Sequence, residues 1–267
     1  MEIIAGFLIA MAIGMTGIGA GSITAPVLIL FFHQSATSAV TIALVFGTVV
    51  KLIAVPIYLA RKQINFRILG FLAAGGLPGV LLGSLILASM DKASLNEPVL
   101  ILVGCTIVFS AGATLLRSFT SNVVSKPIRE KWLSLMVFPI GLEVGFSSAG
   151  AGALGSIALM RFTSLVPAQI VGTDLAFGLL LSMFGGGIHV GMTGLPPGIL
   201  TPLLIGGIPG VLIGTQLATS MAPKKLRFVL CLWLLYVGLQ LSYKGISGIV
   251  EAKPAGSAPM VPAKPVK

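Results

Sequence analysis

Two ionisable residues stand inside long apolar stretches of the sequence, where a charge is costly. Lys51 lies in the apolar run 36–60, and Asp174 lies in the apolar run 167–192. A charge within a membrane span costs about 2.5–3.5 kcal/mol even on lenient scales, so a functional role is the first hypothesis for both residues. The lysine could bind an anion, and the aspartate could carry a proton. The alternatives are a lysine that extends its ammonium to the interface and an aspartate that is only its structural partner.

Hydroxyl side chains accompany Lys51 on one side of its predicted helix. Steps of four, seven and three residues connect Thr37, Thr41, Thr48 and Lys51. On a helix this spacing places the four side chains within about 80° of one another. A stripe of hydroxyls that ends in an ammonium predicts the lining of an anion path.

Three more titratable residues lie near segment ends or glycine-rich stretches. Glu143 precedes one such stretch, His189 follows three glycines, and His33 ends the first apolar run. We predict proton coupling through Asp174, with His189 or Glu143 as its partner in proton transfer. For the histidines, an interfacial position is the alternative.

Two glycine-rich stretches interrupt apolar runs and allow the helix to unwind. Residues that could contact a ligand there are Gly17, Gly19, Gly21 and Ser22 in the first stretch, and Ser147, Ser148, Gly150 and Gly152 in the second. Ser22 is placed to cap the half-helix that follows. Free N–H groups at a half-helix N-terminus form an anion site. The alternative is that small residues only permit close helix packing.

Composition assigns the chain to the membrane proteins. Hydrophobic residues make up 56% and charged residues 9%, and the mean hydropathy is +1.06. A soluble domain carries about 25% charged residues. The net charge of +10 comes mostly from short basic clusters between apolar runs, which is typical of the positive-inside bias and not of a nucleic-acid surface. The two cysteines have no metal-site spacing.

Eight apolar segments are predicted, four in each half of the chain. They are residues 3–32, 36–60, 66–89 and 98–116, then 132–162, 167–192, 197–219 and 226–249. A helix needs about 20 residues to cross a bilayer. The first and fifth segments are longer, so each is either one tilted span or two half-helices that meet at the glycines.

An internal repeat relates the two halves at one constant sequence separation, without a gap. This separation, called the repeat offset below, is the one that takes Gly21 to Gly152. It also pairs Gly47 with Gly178, and the block 75–83 with the block 206–214. Duplicated units are common in membrane transporters. The predicted organisation is a first repeat at 1–116, a cytoplasmic linker at 117–131, a second repeat at 132–250 and a disordered tail at 251–267.

The orientation of the copies depends on the glycine-broken elements. If each element spans the membrane, the copies share one orientation; if each is a re-entrant hairpin, three helices cross per unit and the copies are inverted. In the inverted arrangement, the cytoplasmic side holds the basic groups at 61–67, 117–131, Arg161 and 224–227. Only Lys92, Lys244 and the tail lysines then lie outside. This charge bias favours an all-α membrane protein with two inverted repeats.

The glycine pattern carries a family resemblance. It comprises Gly14-x-x-Gly17-x-Gly19-x-Gly21 with Pro26, its repeat at 145–152, Val171-Gly172-Thr173, His189 with Gly191 and Gly194, and two Pro-Gly-x-x-x-Gly blocks. With these residues the chain resembles the sulfite exporter TauE/SafE family, also called the sulfonate uptake permease family, over about residues 5–249. The resemblance implies secondary transport of a small sulfur-containing anion. Two departures are Ala20 within a usual glycine triplet and Asp174 where serine is common.

We therefore predict a secondary transporter in a bacterial cytoplasmic membrane. Its substrate would be a sulfur oxyanion or organosulfur anion, bound by the glycine breaks, Thr48, Lys51 and Thr173. A passive anion channel or a non-transporting accessory subunit is the alternative. The sequence has no hydrolase or zinc-protease motif, so an enzyme is not predicted, and neither is a cofactor or metal. Transport direction and oligomeric state are left open.

Overall fold

The computed structural model describes residues 1–17, 19–89, 96–119, 130–148, 151–196, 198–217 and 224–252. These residues form ten helices in two series of five. The first series is α1 (Glu2–Thr16), α2 (Ala20–Leu30), α3 (Ala36–Ala60), α4 (Phe66–Ser89) and α5 (Asn96–Phe119). The second is α6 (Glu130–Ser147), α7 (Ala151–Phe162), α8 (Pro167–Thr193), α9 (Leu200–Leu217) and α10 (Lys224–Ala252).

Helix bounds follow the predicted segments closely, and the two long segments are each two helices. The predicted 36–60 and 66–89 coincide with α3 and α4. The predicted 3–32 divides into α1 and α2, and 132–162 divides into α6 and α7. The choice between one tilted span and two half-helices is thus settled in favour of two helices at both places. Most of the predicted linker and nearly all of the predicted tail lie outside the described residues.

The two series match each other at the repeat offset. This offset takes the first residue of α2 to the first residue of α7, and the first residue of α3 to the first residue of α8. The backbone at the two breaks also corresponds: Gly17 and Ser148 are both left-handed, with φ of 66° and 55°. Each donates its N–H to a carbonyl four residues earlier, over 2.9 Å and 2.8 Å. Ser148 thus adopts a conformation that glycine usually occupies at a helix C-terminus.

Glycines on α4 and α9 let the first helix of one series pack on the fourth helix of the other. A Cβ on any of these glycines would overlap the neighbouring backbone, so only glycine allows the contact. The pairs are Gly206 with Ile3, Gly210 with Phe7, Gly214 with Met11, then Gly75 with Ser134, Gly79 with Phe138, and Gly83 with Leu142. Partner numbers rise together, so α1 runs parallel to α9 and α4 runs parallel to α6. The repeated Pro-Gly-x-x-x-Gly block is a packing surface.

Equivalent helices of the two series run antiparallel where they meet. Between α3 and α8, Thr41 lies beside His189 and Lys51 beside Gly178, so the numbers fall on one helix as they rise on the other. The same holds for α5 and α10, where Gly104 approaches Ser242 and Val108 approaches Gly238. The centre of the fold is the α3–α8 crossing.

Helices α1 and α2 form a hairpin beside α3. Tyr58 near the end of α3 donates to the Gly14 carbonyl near the end of α1, so α1 and α3 run in the same direction. Helix α2 starts with Ala20 against Gly47, the middle of α3, and its end joins the start of α3 through residues 31–35. Helix α2 is therefore a half-helix that returns from the middle of the bundle.

Four helices in the described part of the chain are long and apolar enough to cross a bilayer: α3, α4, α8 and α9. Their outward faces carry large apolar side chains such as Leu82, Phe184 and Ile205. Such exposed apolar surface on several long helices is what a lipid environment permits and water does not.

Candidate functional site

The two glycine breaks cross at the centre of the molecule. A Cβ on Gly21 would overlap the carbonyl of Ser148, and a Cβ on Gly19 would lie 2.9 Å from the backbone nitrogen of Gly152. Two backbones approach this closely only where side chains are absent. The N-terminal ends of α2 and α7 therefore meet here, each with first-turn N–H groups that have no helical acceptor.

Two buried hydroxyls at this crossing have no hydrogen-bond partner among the described residues. They belong to Ser22, which is 2% exposed, and Ser148, which is 5% exposed. The predicted cap by Ser22 is wrong, because Gly19 is the N-cap of α2, without a side-chain hydrogen bond. Ser22 lies in the third helical position, so its hydroxyl is left over. A buried polar group without a partner costs about 1–3 kcal/mol, so two together need an explanation.

Lys51 reaches the same region from α3. Its side chain is 4% exposed, and its ammonium donates to the carbonyl of Gly178 over 3.0 Å. A Cβ on Gly47 would lie 3.8 Å from the Lys51 Nζ and 2.8 Å from the side chain of Ala20, the first residue of α2. The ammonium is thus directed inwards beside a half-helix N-terminus, and does not extend to the end of the span.

Asp174 lies one helical turn before Gly178 on α8. Its side chain is 1% exposed, and its Oδ2 accepts a hydrogen bond from the Ser156 hydroxyl of α7 over 2.6 Å. A Cβ on Gly155 would overlap the other carboxyl oxygen. The carboxylate and the Lys51 ammonium attract each other electrostatically. The Lys51 ammonium and the Asp174 carboxylate are therefore both buried close to the N-terminal ends of the two half-helices.

Other predicted site residues make local bonds around this centre. The Thr48 hydroxyl donates to the Leu44 carbonyl over 2.8 Å, and Ser147 donates to the Glu143 carbonyl over 3.1 Å. Thr173 faces the connection between α3 and α4, where its hydroxyl accepts from the Asn65 N–H over 3.0 Å. Gly17 caps α1 and packs against Val171. Gly150 lies outside the described residues.

His189 and Glu143 each have polar contacts of their own. His189 is fully buried, with its Nε2 3.1 Å from the Gly145 carbonyl and its Nδ1 3.5 Å from the Thr41 hydroxyl. Glu143 borders a mostly apolar groove of about 600 Å³ between α5, α6 and α7, within hydrogen-bonding reach of Thr106. The three predicted proton-coupling residues thus contact different partners: Ser156 for Asp174, Gly145 and Thr41 for His189, and Thr106 for Glu143.

Several polar partners were not predicted. Ser156 donates to Asp174, and Ser182 donates to the Gly178 carbonyl. At the end of α3, Tyr58 donates to a carbonyl of α1 and Arg61 donates to a carbonyl of α9. The sequence repeat contains the signal for Tyr58, since it pairs Tyr58 with His189 and Gly14 with Gly145. Within the described residues, no group of histidine, cysteine, aspartate and glutamate side chains could hold a metal ion.

Comparison with known proteins adds two matches. The family model described as Sulfite exporter TauE/SafE matches residues 2–241. A Bacillus subtilis (strain 168) protein named "Probable membrane transporter protein YjnA" is 29% identical over 249 residues, which cover 90% of this chain and 98% of that protein. No solved structure matches.

Proposed function

The chain belongs to the sulfite exporter TauE/SafE family of multi-pass membrane proteins, and on that premise we propose that it is a secondary transporter for a small sulfur-containing anion. The substrate class is sulfite, thiosulfate, a sulfonate or sulfoacetate. The membrane is the bacterial cytoplasmic membrane.

The observation that carries this proposal is the crossing of the two glycine breaks. The N-terminal ends of α2 and α7, the unpartnered hydroxyls of Ser22 and Ser148, and the Lys51 ammonium all converge there. Each of these groups donates hydrogen bonds or carries positive charge, which is the chemistry that binds an oxyanion. The anion would take the hydrogen bonds that the two serine hydroxyls lack within the described protein.

Proton coupling is assigned to Asp174. Its carboxylate lies beside the anion site, is almost fully buried, and attracts the Lys51 ammonium. A proton on Asp174 would weaken its attraction for Lys51 and leave the ammonium free to bind the anion. Anion binding and protonation would then favour each other, which is the linkage that symport or exchange requires. The side chains of Glu143 and His189 have contacts of their own, with Thr106 and with the Gly145 carbonyl, and the proposal assigns coupling to Asp174.

The membrane arrangement that fits this site is an inverted repeat. The proposal gives each repeat, at 1–116 and 132–250, one re-entrant hairpin and three crossing helices. Its support is the antiparallel course of α3 against α8 and of α5 against α10, and the return of α2 to the start of α3. The half-helix ends then meet near the middle of the bilayer, where transporters of this construction bind their substrates. Arg61 and Arg161 would face the cytoplasm.

Anion flux in proteoliposomes tests the proposal. Purified protein would be reconstituted, and uptake of sulfite, thiosulfate, sulfoacetate and taurine measured with and without an inward proton gradient. Phosphate and chloride serve as comparison anions. The proposal expects saturable flux of at least one sulfur anion that the gradient accelerates. Flux that ignores the gradient would indicate a passive channel, and the absence of any sulfur-anion flux would contradict the substrate class.

A further inference from the structure

A polar cavity lies between the start of α3 and the end of α8. It has a volume of about 210 Å³, and the hydroxyl residues that line it are Ser35, Thr37, Ser38, Thr41 and Thr193. We infer that this cavity, called the vestibule below, is a second anion-contact site, through which the substrate reaches the crossing from outside the cell. The inference rests on the proposed function and adds an access route to it.

The floor of the vestibule is a pair of buried polar residues. Thr41 is 1% exposed, and its hydroxyl lies 3.5 Å from the Nδ1 of His189. One turn deeper on α8, Gly185 lies against Ser84, whose buried hydroxyl has no hydrogen-bond partner among the described residues. Polar groups therefore continue from the vestibule into the bundle, towards Thr48 and Lys51 on the same helix as Thr41.

The opposite end of the α3–α8 pair is closed by three hydrogen bonds between different helices or their connections. Tyr58 donates to the Gly14 carbonyl over 3.2 Å. Arg61 donates to the Thr215 carbonyl over 3.2 Å, and the Asn65 N–H donates to Thr173 over 3.0 Å. These bonds tie the end of α3 and its connection to α4 to helices α1, α8 and α9, and are called the latch below.

The sequence repeat shows why the vestibule end is less tightly tied. One latch bond has an equivalent there, because His189 bonds the Gly145 carbonyl as Tyr58 bonds that of Gly14. The other two have none: the repeat offset pairs Arg61, Asn65 and Thr173 with Met192, Pro196 and Ile42. The methionine side chain has no N–H to donate, proline has no backbone N–H, and the isoleucine side chain has no oxygen to accept a bond. The end without these bonds is the end that holds the vestibule.

The lining of the vestibule suits an anion better than a cation. None of the residues that line it carries a carboxylate. The hydroxyls of Ser35, Thr41 and Thr193 already donate to the Ser38 Oγ, the Thr37 carbonyl and the His189 carbonyl. The hydroxyls of Thr37 and Ser38 are the two lining groups that can donate to an anion. The last carbonyls of α8, which would attract a cation, are already engaged: His189 O accepts from the Thr193 hydroxyl over 2.7 Å, and Val190 O accepts from the Gly194 N–H over 3.0 Å. A small oxyanion can therefore replace part of its hydration with hydroxyl groups here.

Thiol labelling from outside the cell tests the inference without requiring transport. In a Cys105→Ala, Cys231→Ala background, Thr37→Cys and, separately, Thr193→Cys would react with two membrane-impermeant methanethiosulfonates, one bearing a sulfonate and one a trimethylammonium. Ser89→Cys, exposed at the same end of the bundle, gives the intrinsic rate ratio of the two reagents. Lys62→Cys, exposed at the latch end, should stay unlabelled until the membrane is permeabilised.

The expected result is external labelling of the vestibule cysteines. Their ratio of sulfonate to trimethylammonium labelling rates should be about ten times the ratio measured at Ser89→Cys. Arg61→Met, which copies the equivalent Met192, should slow this labelling severalfold, because it frees the latch end to open instead. Vestibule cysteines that stay unreactive, or that show the same reagent ratio as Ser89→Cys, would overturn the inference. Anion-selective labelling without sulfur-anion flux in the wild type would contradict the proposed substrate and leave the vestibule standing.

Discussion

Lys51 and Ser182 occupy equivalent positions in the two repeats, and both donate a hydrogen bond to the same carbonyl, that of Gly178. The distances are 3.0 Å from the Lys51 Nζ and 2.7 Å from the Ser182 hydroxyl. One repeat thus supplies a charge where the other supplies a neutral hydroxyl. Asp174 is likewise unmatched, since its equivalent is Ala43. The duplicated scaffold supplies matching backbone ends from both copies, and the two charges distinguish the copies from each other.

The unpartnered serine hydroxyls should contribute to substrate affinity. Ser22→Ala and Ser148→Ala each remove one donor to a charged ligand, so the KM for the transported anion should rise about tenfold. Protein stability should not fall, because neither hydroxyl bonds a described residue. Ser89→Ala, at an exposed serine, is the matched control. Unchanged KM values for both site variants would show that the anion does not contact these serines.

The contact between the glycine breaks should not tolerate a methyl group. Gly21→Ala would drive a Cβ into the Ser148 carbonyl, and separating the two backbones should cost about 1–3 kcal/mol or more. Gly187→Ala on α8 meets no atom within 4 Å, so it should be neutral or stabilising through helix propensity. Thermal unfolding in detergent measures both. Equal melting temperatures for the two variants would contradict the close crossing.

Removing the charge of Asp174 should separate anion exchange from proton-driven accumulation. In Asp174→Asn the amide can keep the hydrogen bond with Ser156 but cannot take up a proton. Exchange of labelled for unlabelled substrate should persist, while a proton gradient should no longer drive accumulation. Glu2→Gln, in the first turn of α1, is the control. Gradient-driven accumulation at the wild-type level in Asp174→Asn would exclude this residue as the coupling site.

The bond between Tyr58 and Gly14 should stabilise the fold. Tyr58→Phe leaves the Gly14 carbonyl without this donor at a buried position, so the free energy of unfolding should fall by about 1 kcal/mol. Tyr243→Phe, at a tyrosine that is 75% exposed, should have no measurable effect. Chemical denaturation in detergent compares the two variants. A Tyr58→Phe protein as stable as the control would show that the bond contributes nothing net.

Helix positions could be predicted from the sequence because lipid imposes a simple rule. Apolar length gave the bounds of α3 and α4, and the glycine repeat gave the places where α1 and α6 end. Neither depends on tertiary contacts. The crossing of the breaks does depend on them, because nothing in the local sequence says that Gly21 of one copy will touch Ser148 of the other.

Side-chain partners were predictable only where the repeat contained them. Lys51 and Asp174 stood out by the cost of burying a charge, but the Ser156 bond to Asp174 did not, because one serine in an apolar helix has no periodic signal. Ser22 illustrates the limit: its type and position predicted a cap, yet the glycine before the helix took the N-cap place and left the hydroxyl unused.

The most direct test of the transporter account is the flux of Lys51→Met in proteoliposomes. The Gly178 carbonyl keeps its bond from Ser182 in this variant, so the fold should survive while the cation at the crossing is lost. Lys244→Met, the same change at an exposed lysine, is the control. The account predicts that sulfur-anion flux falls by at least about tenfold in Lys51→Met and is unchanged in Lys244→Met. Wild-type flux in a folded Lys51→Met protein would contradict it.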